Sequence, residues 1–210
     1  VSGIGTDLHG YYRLHAPIYD ATRGSFLFGR SDMVDRLAGT WWEQHGERPP
    51  RVLEIGCGTG RNLARFWTHY PGAELSGVEL TQAMLVRAQR RLGERARLIQ
   101  GDVVSTAELG EFDIVLCAYV LSMCGDQRRR VEACARAQLA PGGLLGVVDF
   151  HASRSLGFKQ WMARNHVAFD DGWLERTLGD LHECYRQVSP AYFGWWHYAS
   201  LIAQRTSAKR

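Results

Sequence analysis

At 210 residues, 45% of them hydrophobic and 22% charged, the chain has material for one sizeable core and the composition of an ordinary globular domain. Its formal net charge of +3 comes from basic residues scattered through helical patterns instead of a basic tract interleaved with aromatics, which argues against a nucleic-acid partner, and no apolar run nears the roughly 20 residues that cross a bilayer. Cysteines at 57, 117, 124, 134 and 184 have neither paired metal spacing nor an activating neighbour, so no metal centre, disulfide framework or thiol nucleophile is expected.

In chain order, the first fifty residues read as helical. Met33, Val34, Leu37, Ala38, Trp41 and Trp42 recur at helical spacing before the break at Pro49-Pro50. Residues 1–50 are expected to form a helical cap or lid of the same domain, and residues 51–210 the ligand-binding part. The start, VSGIGTDLHGYY, lacks the charged-then-apolar build of a secretion signal, and the expectation is a soluble, cytoplasmic protein.

From Val52 short apolar strands alternate with helical stretches, which predicts a parallel sheet with helices on its faces. RVLEIG is the first strand, followed by a helix with Leu63, Phe66, Trp67 and Tyr70 on one face. ELSGVEL is the second; Thr81 can cap the next helix, whose Met84, Leu85, Ala88 and Leu92 face inward. ARLIQGD and FDIVLCAYV follow, and GGLLGVVDF is a fifth strand after a turn at Ala140-Pro141-Gly142-Gly143. Beyond it, LGFKQWMARNHVAF and WLERTLGDLH read as two amphipathic helices. YFGWWHYASLIAQR reads as two strands turning near Gly194.

The chemistry concentrates at VLEIGCGTGRN. In an open parallel sheet ligands sit beyond the carboxyl ends of the strands, and Gly56 and Gly58 let the chain turn there and expose backbone to a ligand. Gly60 is divided between that role and helix packing. The third glycine comes one position early for a dinucleotide fingerprint, and the lysine of a P-loop is missing. Glu54 at the loop would repel a pyrophosphate and welcome an ammonium. Glu79 ends the second strand, where an acid can accept ribose hydroxyls, and Asp102 follows the third, placed to accept from an adenine amino group. The three acids together ask for a ribose, an adenine and a cationic arm, with no phosphate. Asp113 is expected to cap a turn.

VLEIGCGTG, GVEL, QGDV, FDIVLCAYVLSM and LAPGGLLGVVDF resemble, over residues 50 to 150, the successive motifs of class I S-adenosylmethionine-dependent methyltransferases. The resemblance implies an α/β, Rossmann-like, seven-stranded, mostly parallel sheet whose last strand is antiparallel. It also implies S-adenosylmethionine as cofactor. Glu54, Gly56, Cys57 and Gly58 would surround the methionine part, Glu79 with Leu80 the ribose, Asp102 and Val103 the adenine, and Tyr119 and Val120 the sulfonium. HAPIYDATRGSFLFGRSDMVDRL and WMARNHVAF are similar to bacterial N-methyltransferases that make betaine lipids. That likeness makes Tyr19 and Arg30 candidates for holding the cofactor's carboxylate arm. It ends after YVLSM, where an apolar, proline-containing turn is replaced by CGDQRRR in a segment expected to face the acceptor.

The leading expectation is N-methylation of a small amine, with S-adenosylhomocysteine as product. An amine with a lysine-like pKa arrives protonated, so a base or a desolvating pocket must free its lone pair. Candidates for that or for orienting are Tyr119, His151, Asn165, His166 and Tyr198. The alternative is a cyclase in which the cofactor's own amine attacks its γ carbon, giving azetidine-2-carboxylate and methylthioadenosine. Rings such as Trp161, Phe169, Trp173, Tyr185, Tyr192, Phe193, Trp195 and Trp196 would then surround the sulfonium, each holding it by roughly 0.5 to 2 kcal/mol. A further alternative is a non-catalytic protein that binds the same ligand. The expected partner is a small molecule, with no nucleic acid and no integral membrane segment; the sequence leaves the oligomeric state open.

Overall fold

The computed structural model describes residues 27–106, 109–192 and 195–206. Helix α1 spans Arg30–His45; then come β1 (Arg51–Ile55), α2 (Arg61–His69), β2 (Glu74–Glu79), α3 (Gln82–Leu92), β3 (Ala96–Gln100) and β4 (Phe112–Ala118). They are followed by α4 (Arg128–Ala137), β5 (Leu139–Ser153), α5 (Leu156–Arg164), α6 (Trp173–Leu178), β6 (His182–Val188) and β7 (Trp196–Gln204). The seven strands form one sheet in the order β3-β2-β1-β4-β5-β7-β6, parallel except that β7 runs antiparallel to both β5 and β6. The order reverses between β1 and β4, which opens a crevice beyond their carboxyl ends.

Successive strand residues point to opposite faces, and the doubly apolar runs of the central strands require a helical layer on each. Val52, Ile114 and Leu144 join Leu37, Trp41, Leu63, Phe66 and Ala88 from α1, α2 and α3 on one face. Leu53, Val115 and Leu145 join Val131, Ala135, Trp173 and Leu174 from α4 and α6 on the other. Among the described residues no helix is long and apolar enough to cross a membrane.

Of the N-terminal segment expected to cap the sheet, residues 1–26 lie outside the described residues. The described helix, α1, packs on a sheet face beside α2, and only the stretch leading into it reaches the carboxyl ends of the strands: the Tyr119 hydroxyl donates to the Phe28 carbonyl at 2.8 Å. Leu37 fills the space left by Gly146 on β5; a Cβ there would stand 2.4 Å from its Cδ1. Trp42, at the margin of the stripe, is 52% exposed. On the surface, Asp35 takes the Arg65 fork at 2.7 and 2.6 Å and joins α1 to α2. Asp113 accepts from the backbone of Arg51 at 2.9 Å and pairs with the Arg48 and Arg51 guanidinium groups at the amino end of the sheet. It is no turn cap.

The C-terminal strands differ from expectation. Within YFGWWHYASLIAQR the expected antiparallel pairing is present only as an isolated bridge between Tyr192 and Trp196; the strand there is β7, which pairs with β5 and with β6 upstream in HECYRQV, and Phe193 and Gly194 lie outside the described residues. β6 is a sheet edge with an exposed, polar face, so it lacks the apolar alternation by which strands are read.

Leu37→Ala should cost about 2 to 5 kcal/mol in urea denaturation, as for a buried leucine whose site cannot collapse onto a strand. Gly146→Val should cost about 1 to 3 kcal/mol through overpacking against the same side chain. Neutral effects would show that α1 is not part of this core.

Candidate active site

The glycine loop begins where β1 ends. The Gly56 and Cys57 amides both donate to the Val78 carbonyl, at 2.8 and 3.1 Å, folding the loop back over β2. Gly56 and Gly58 have φ of 70° and 53°, values that cost a side chain strain. A Cβ on Gly56 would also come within 2.8 Å of Val120 Cγ2, so the loop and the turn after β4 interlock. Gly60 serves packing: a Cβ there would meet Leu92 at 2.7 Å and Ala88 at 3.2 Å on α3.

Beside this loop lies a cleft of ≈ 170 Å³. Gly56, Gly58, Glu79, Leu80, Asp102, Val103, Tyr119 and Val120, all expected from the sequence, line it. The structure adds Met84, Met123, Cys124, Gln127 and Val131. Met84 and Val131 read as helix core stripes, Met123 as part of the YVLSM motif, and Cys124 and Gln127 as part of the acceptor-facing segment. The fourth strand's end was their available signal, because a switch-point crevice is walled by whatever follows that strand. Burial pushes the Cys124 thiol up to about 12, which leaves it inert as a nucleophile.

The acids are oriented by backbone and by one amide. The Glu79 carboxylate accepts from Gly58 N at 3.1 Å and Thr81 N at 3.0 Å, which fixes it at the cleft rim. Asp102 accepts from Val104 N at 2.9 Å. Glu54, 1% exposed, accepts from Asn62 Nδ2 at 2.6 Å, and its other oxygen, Oε2, has no hydrogen-bond partner among the described residues. Burial raises its pKa to about 8, against the bond from Asn62 and the positive charge of Arg30. No lysine or arginine is among the described residues that line the cleft. A cleft whose described lining offers Glu79 and Asp102 and no basic side chain, backed by Glu54 with an unused buried oxygen, fits a cationic, phosphate-free ligand and not a nucleotide phosphate.

The remaining candidates separate. Cys57 packs inward against Gly77, where a Cβ would lie 2.7 Å from its Sγ, so it contributes backbone only. Arg30 donates from Nε to the Leu27 carbonyl at 3.1 Å, and its charge acts on Glu54 and Tyr119. Tyr19 lies outside the described residues. Among the catalytic candidates Tyr119 alone lines the cleft. Its φ of 58° is left-handed, rare outside glycine, and burial holds its phenol well above the ordinary tyrosine range. His151 is the extra residue of a register shift between β5 and β7, where Asp171, His197 and Asp170 are the charges that act on it; it does not line the cleft. Asn165 ends α5 and donates to the Trp161 carbonyl at 2.8 Å, which engages its amide in closing that helix. His166 follows it at φ 60°. Tyr198 stands over Gly29 and stacks on Tyr192 at 5.6 Å, its phenol pushed up to about 12 by burial.

Residues 52–143 match the family described as Methyltransferase domain. The chain is 36% identical over 139 residues to dTDP-4-amino-2,3,4,6-tetradeoxy-D-glucose N,N-dimethyltransferase of Saccharopolyspora spinosa, covering 62% of this chain and 52% of that protein. Magnesium protoporphyrin IX methyltransferase from Synechocystis PCC 6803, solved with bound SAM, superposes with a TM-score of 0.70 at 16% identity, over 98% of this chain and 99% of that one. The N-methyltransferase NodS from Bradyrhizobium japonicum WM9, solved with S-adenosyl-l-homocysteine, superposes with a TM-score of 0.64 at 19% identity, over 84% and 85% of the two chains. The chain spans 25% to 61% of the length of the curated relatives it matches.

Glu54 gives the ligand-free site a pH signature. Its folded pKa, about 8, lies above the unfolded value of 4.5, so the stability it contributes is whole below pH 4.5 and is lost as pH rises through 8. Glu54→Gln cannot ionise; relative to the parent chain it should gain on the order of 2 to 4 kcal/mol between pH 5 and pH 9 in urea unfolding. Parallel pH–stability curves would remove the unpaired carboxyl from the account.

Proposed function

We propose that this chain, whose residues 52–143 match the methyltransferase-domain family, binds S-adenosylmethionine in the cleft and methylates the nitrogen of a small amine in the cytoplasm. One observation carries the reading: among the described residues the cleft beside the glycine loop is lined by Glu79 and Asp102 and by no lysine or arginine, with Glu54 Oε2 buried and without a hydrogen-bond partner behind it. Glu79 would accept the ribose hydroxyls and Asp102 the adenine amino group. Glu54 would take the α-ammonium, which returns it to the ionised form. The cofactor, when bound, supplies an electrophilic methyl on a sulfonium.

This chain's own contribution is then placement and desolvation. With His151 and Asn165 away from the cleft, Tyr119 is the one catalytic candidate that lines it. Its phenol is neutral and already donates to Phe28, so it orients and does not take a proton. An amine entering beside Tyr119, Val120 and Met123 would leave water for an apolar wall and favour its neutral, nucleophilic form. Holding it in line with the methyl can supply about 7 to 11 kcal/mol of the barrier reduction.

A second reading draws on the packing of the same rings. Phe28 stacks on Tyr192 at 4.4 Å and 7°, and Tyr192 lies 5.3 Å from Trp196, so these rings fill one another's space. If no second molecule enters, the cofactor's own amine is the available nucleophile. It would form a C–N bond to the γ carbon as the C–S bond breaks, the electron pair neutralising sulfur and the amine losing a proton. The products would be methylthioadenosine and azetidine-2-carboxylate.

Mass spectrometry of the purified protein with S-adenosylmethionine alone, then with a panel of small amines, separates the readings. S-adenosylhomocysteine that forms only with an amine supports methyl transfer, methylthioadenosine without one supports the cyclase, and no turnover defeats both. Glu79→Ala should weaken S-adenosylhomocysteine about ten- to a hundredfold in calorimetry, the cost of losing charge-assisted bonds to the ribose.

A further inference from the structure

The segment CGDQRRR begins as a wall of the cleft, with Cys124 and Gln127, and ends in α4. Its Arg128 is 7% exposed, rare for a guanidinium, and every hydrogen bond it makes leads to a different part of the same junction. Nε donates to the Leu121 carbonyl at 2.8 Å, one terminal nitrogen to Asp170 Oδ2 at 2.7 Å, and the other to the Ala168 carbonyl at 3.0 Å. The amide of the very next residue after Leu121, Ser122, donates to the buried carboxylate of Asp149 at 3.0 Å. The Leu121–Ser122 peptide group is thus held on its oxygen by a cation and on its N–H by an anion. The Ser122 carbonyl in turn accepts from the Ala168 amide at 2.8 Å.

A wall of the cleft and an aromatic cluster meet at that peptide. Val120, Met123 and Cys124, on either side of it, line the cofactor cleft, and Val120 is the residue interlocked with Gly56. Residues 168–170, on the far end of the Arg128 fork, carry Phe169, which packs on Phe150 at 5.6 Å and Phe158 at 5.9 Å in the aromatic set behind Tyr119.

We propose that Arg128 is a positioning residue that, with Asp149, fixes the Leu121–Ser122 peptide and locks the cofactor wall to the Phe169 segment, so that cofactor affinity depends on a side chain outside the cleft. The inference rests on the cofactor reading above. Asp170 is the outer anchor: Arg176 pairs with it from α6, and Gly172 N donates to it at 3.0 Å. Arg136 supplies an internal control. It lies on the same helix and also ties α4 to α6, donating to the Arg176 carbonyl at 3.0 Å, but it touches neither wall.

The test is titration calorimetry of the full chain with S-adenosylhomocysteine, alongside thermal unfolding and amide hydrogen exchange. Arg128→Gln should weaken the ligand about tenfold and speed exchange at residues 120–124 and 168, with Arg128→Lys intermediate. Arg136→Gln should lower the unfolding temperature yet leave affinity within about twofold, the scatter of an uncoupled site. Affinity unchanged in Arg128→Gln, or equally weakened in Arg136→Gln, overturns the proposal. If Arg128→Gln fails to fold, Asp170→Asn takes its place with the same two expectations. A parent chain that does not bind the ligand sinks the cofactor reading, and exchange then decides the clamp alone: unchanged rates at 120–124 refute it.

Discussion

The approach of the glycine loop to the turn after β4 is the constraint on which the site depends. Two strands adjacent at the switch point must each reverse at the same end of the sheet, and there is room for both reversals only because Gly56 offers no side chain to Val120. The same loop bends back to hydrogen-bond Val78, which brings the Gly58 amide onto Glu79. A ligand meeting this surface encounters bare backbone, one acid already aimed by two amides, and a rim of apolar side chains from the opposing turn. The arrangement needs a left-handed glycine and a close contact at once, so one position carries both geometry and packing.

Charge at this end of the sheet is arranged in layers. Glu54 and Asp149 are each 1% exposed, and burial raises both carboxyls above their ordinary range. Their partners differ in kind. Glu54 has one amide and an unused oxygen, whereas both Asp149 oxygens accept backbone amides, from Ser122 and Phe150. A carboxyl whose bonds are complete is scaffolding; one with an oxygen left over is poised for a cation. That contrast separates a structural acid from a binding acid where exposure alone would group them.

The parts of the site that were legible in the sequence are those in which backbone position decides the outcome. Glu54, Glu79 and Asp102 sit at or just past strand ends, and strand ends in a parallel sheet share one edge, so three scattered acids could be placed together from spacing and strand pattern. Side-chain direction was not legible. His151 follows a run that reads as a regular strand, and the register shift opposite Tyr198 and His197 alters where it points. Asn165 depended on where α5 stops. The first strand of the C-terminal pair was placed too late because seven residues as polar as HECYRQV carry no inward face to betray a strand. Arg128 escaped notice for another reason: CGDQRRR reads as one acceptor-facing segment, and only tertiary contacts distinguish the first of its arginines.

Among the described residues β3 and β6 are the two margins of the sheet, where a row of backbone groups is open to pairing. Both margins bear charge. Arg97 is exposed at the second position of β3, and on β6 Arg186 bonds to Glu183 and to Glu175 of α6. A neighbouring polypeptide laid along either margin would have to strip water from these ions or sever their pairings. Such guarded borders work against runaway strand stacking between crowded molecules, so colloidal behaviour in concentrated solution is written into the fold far from the cleft.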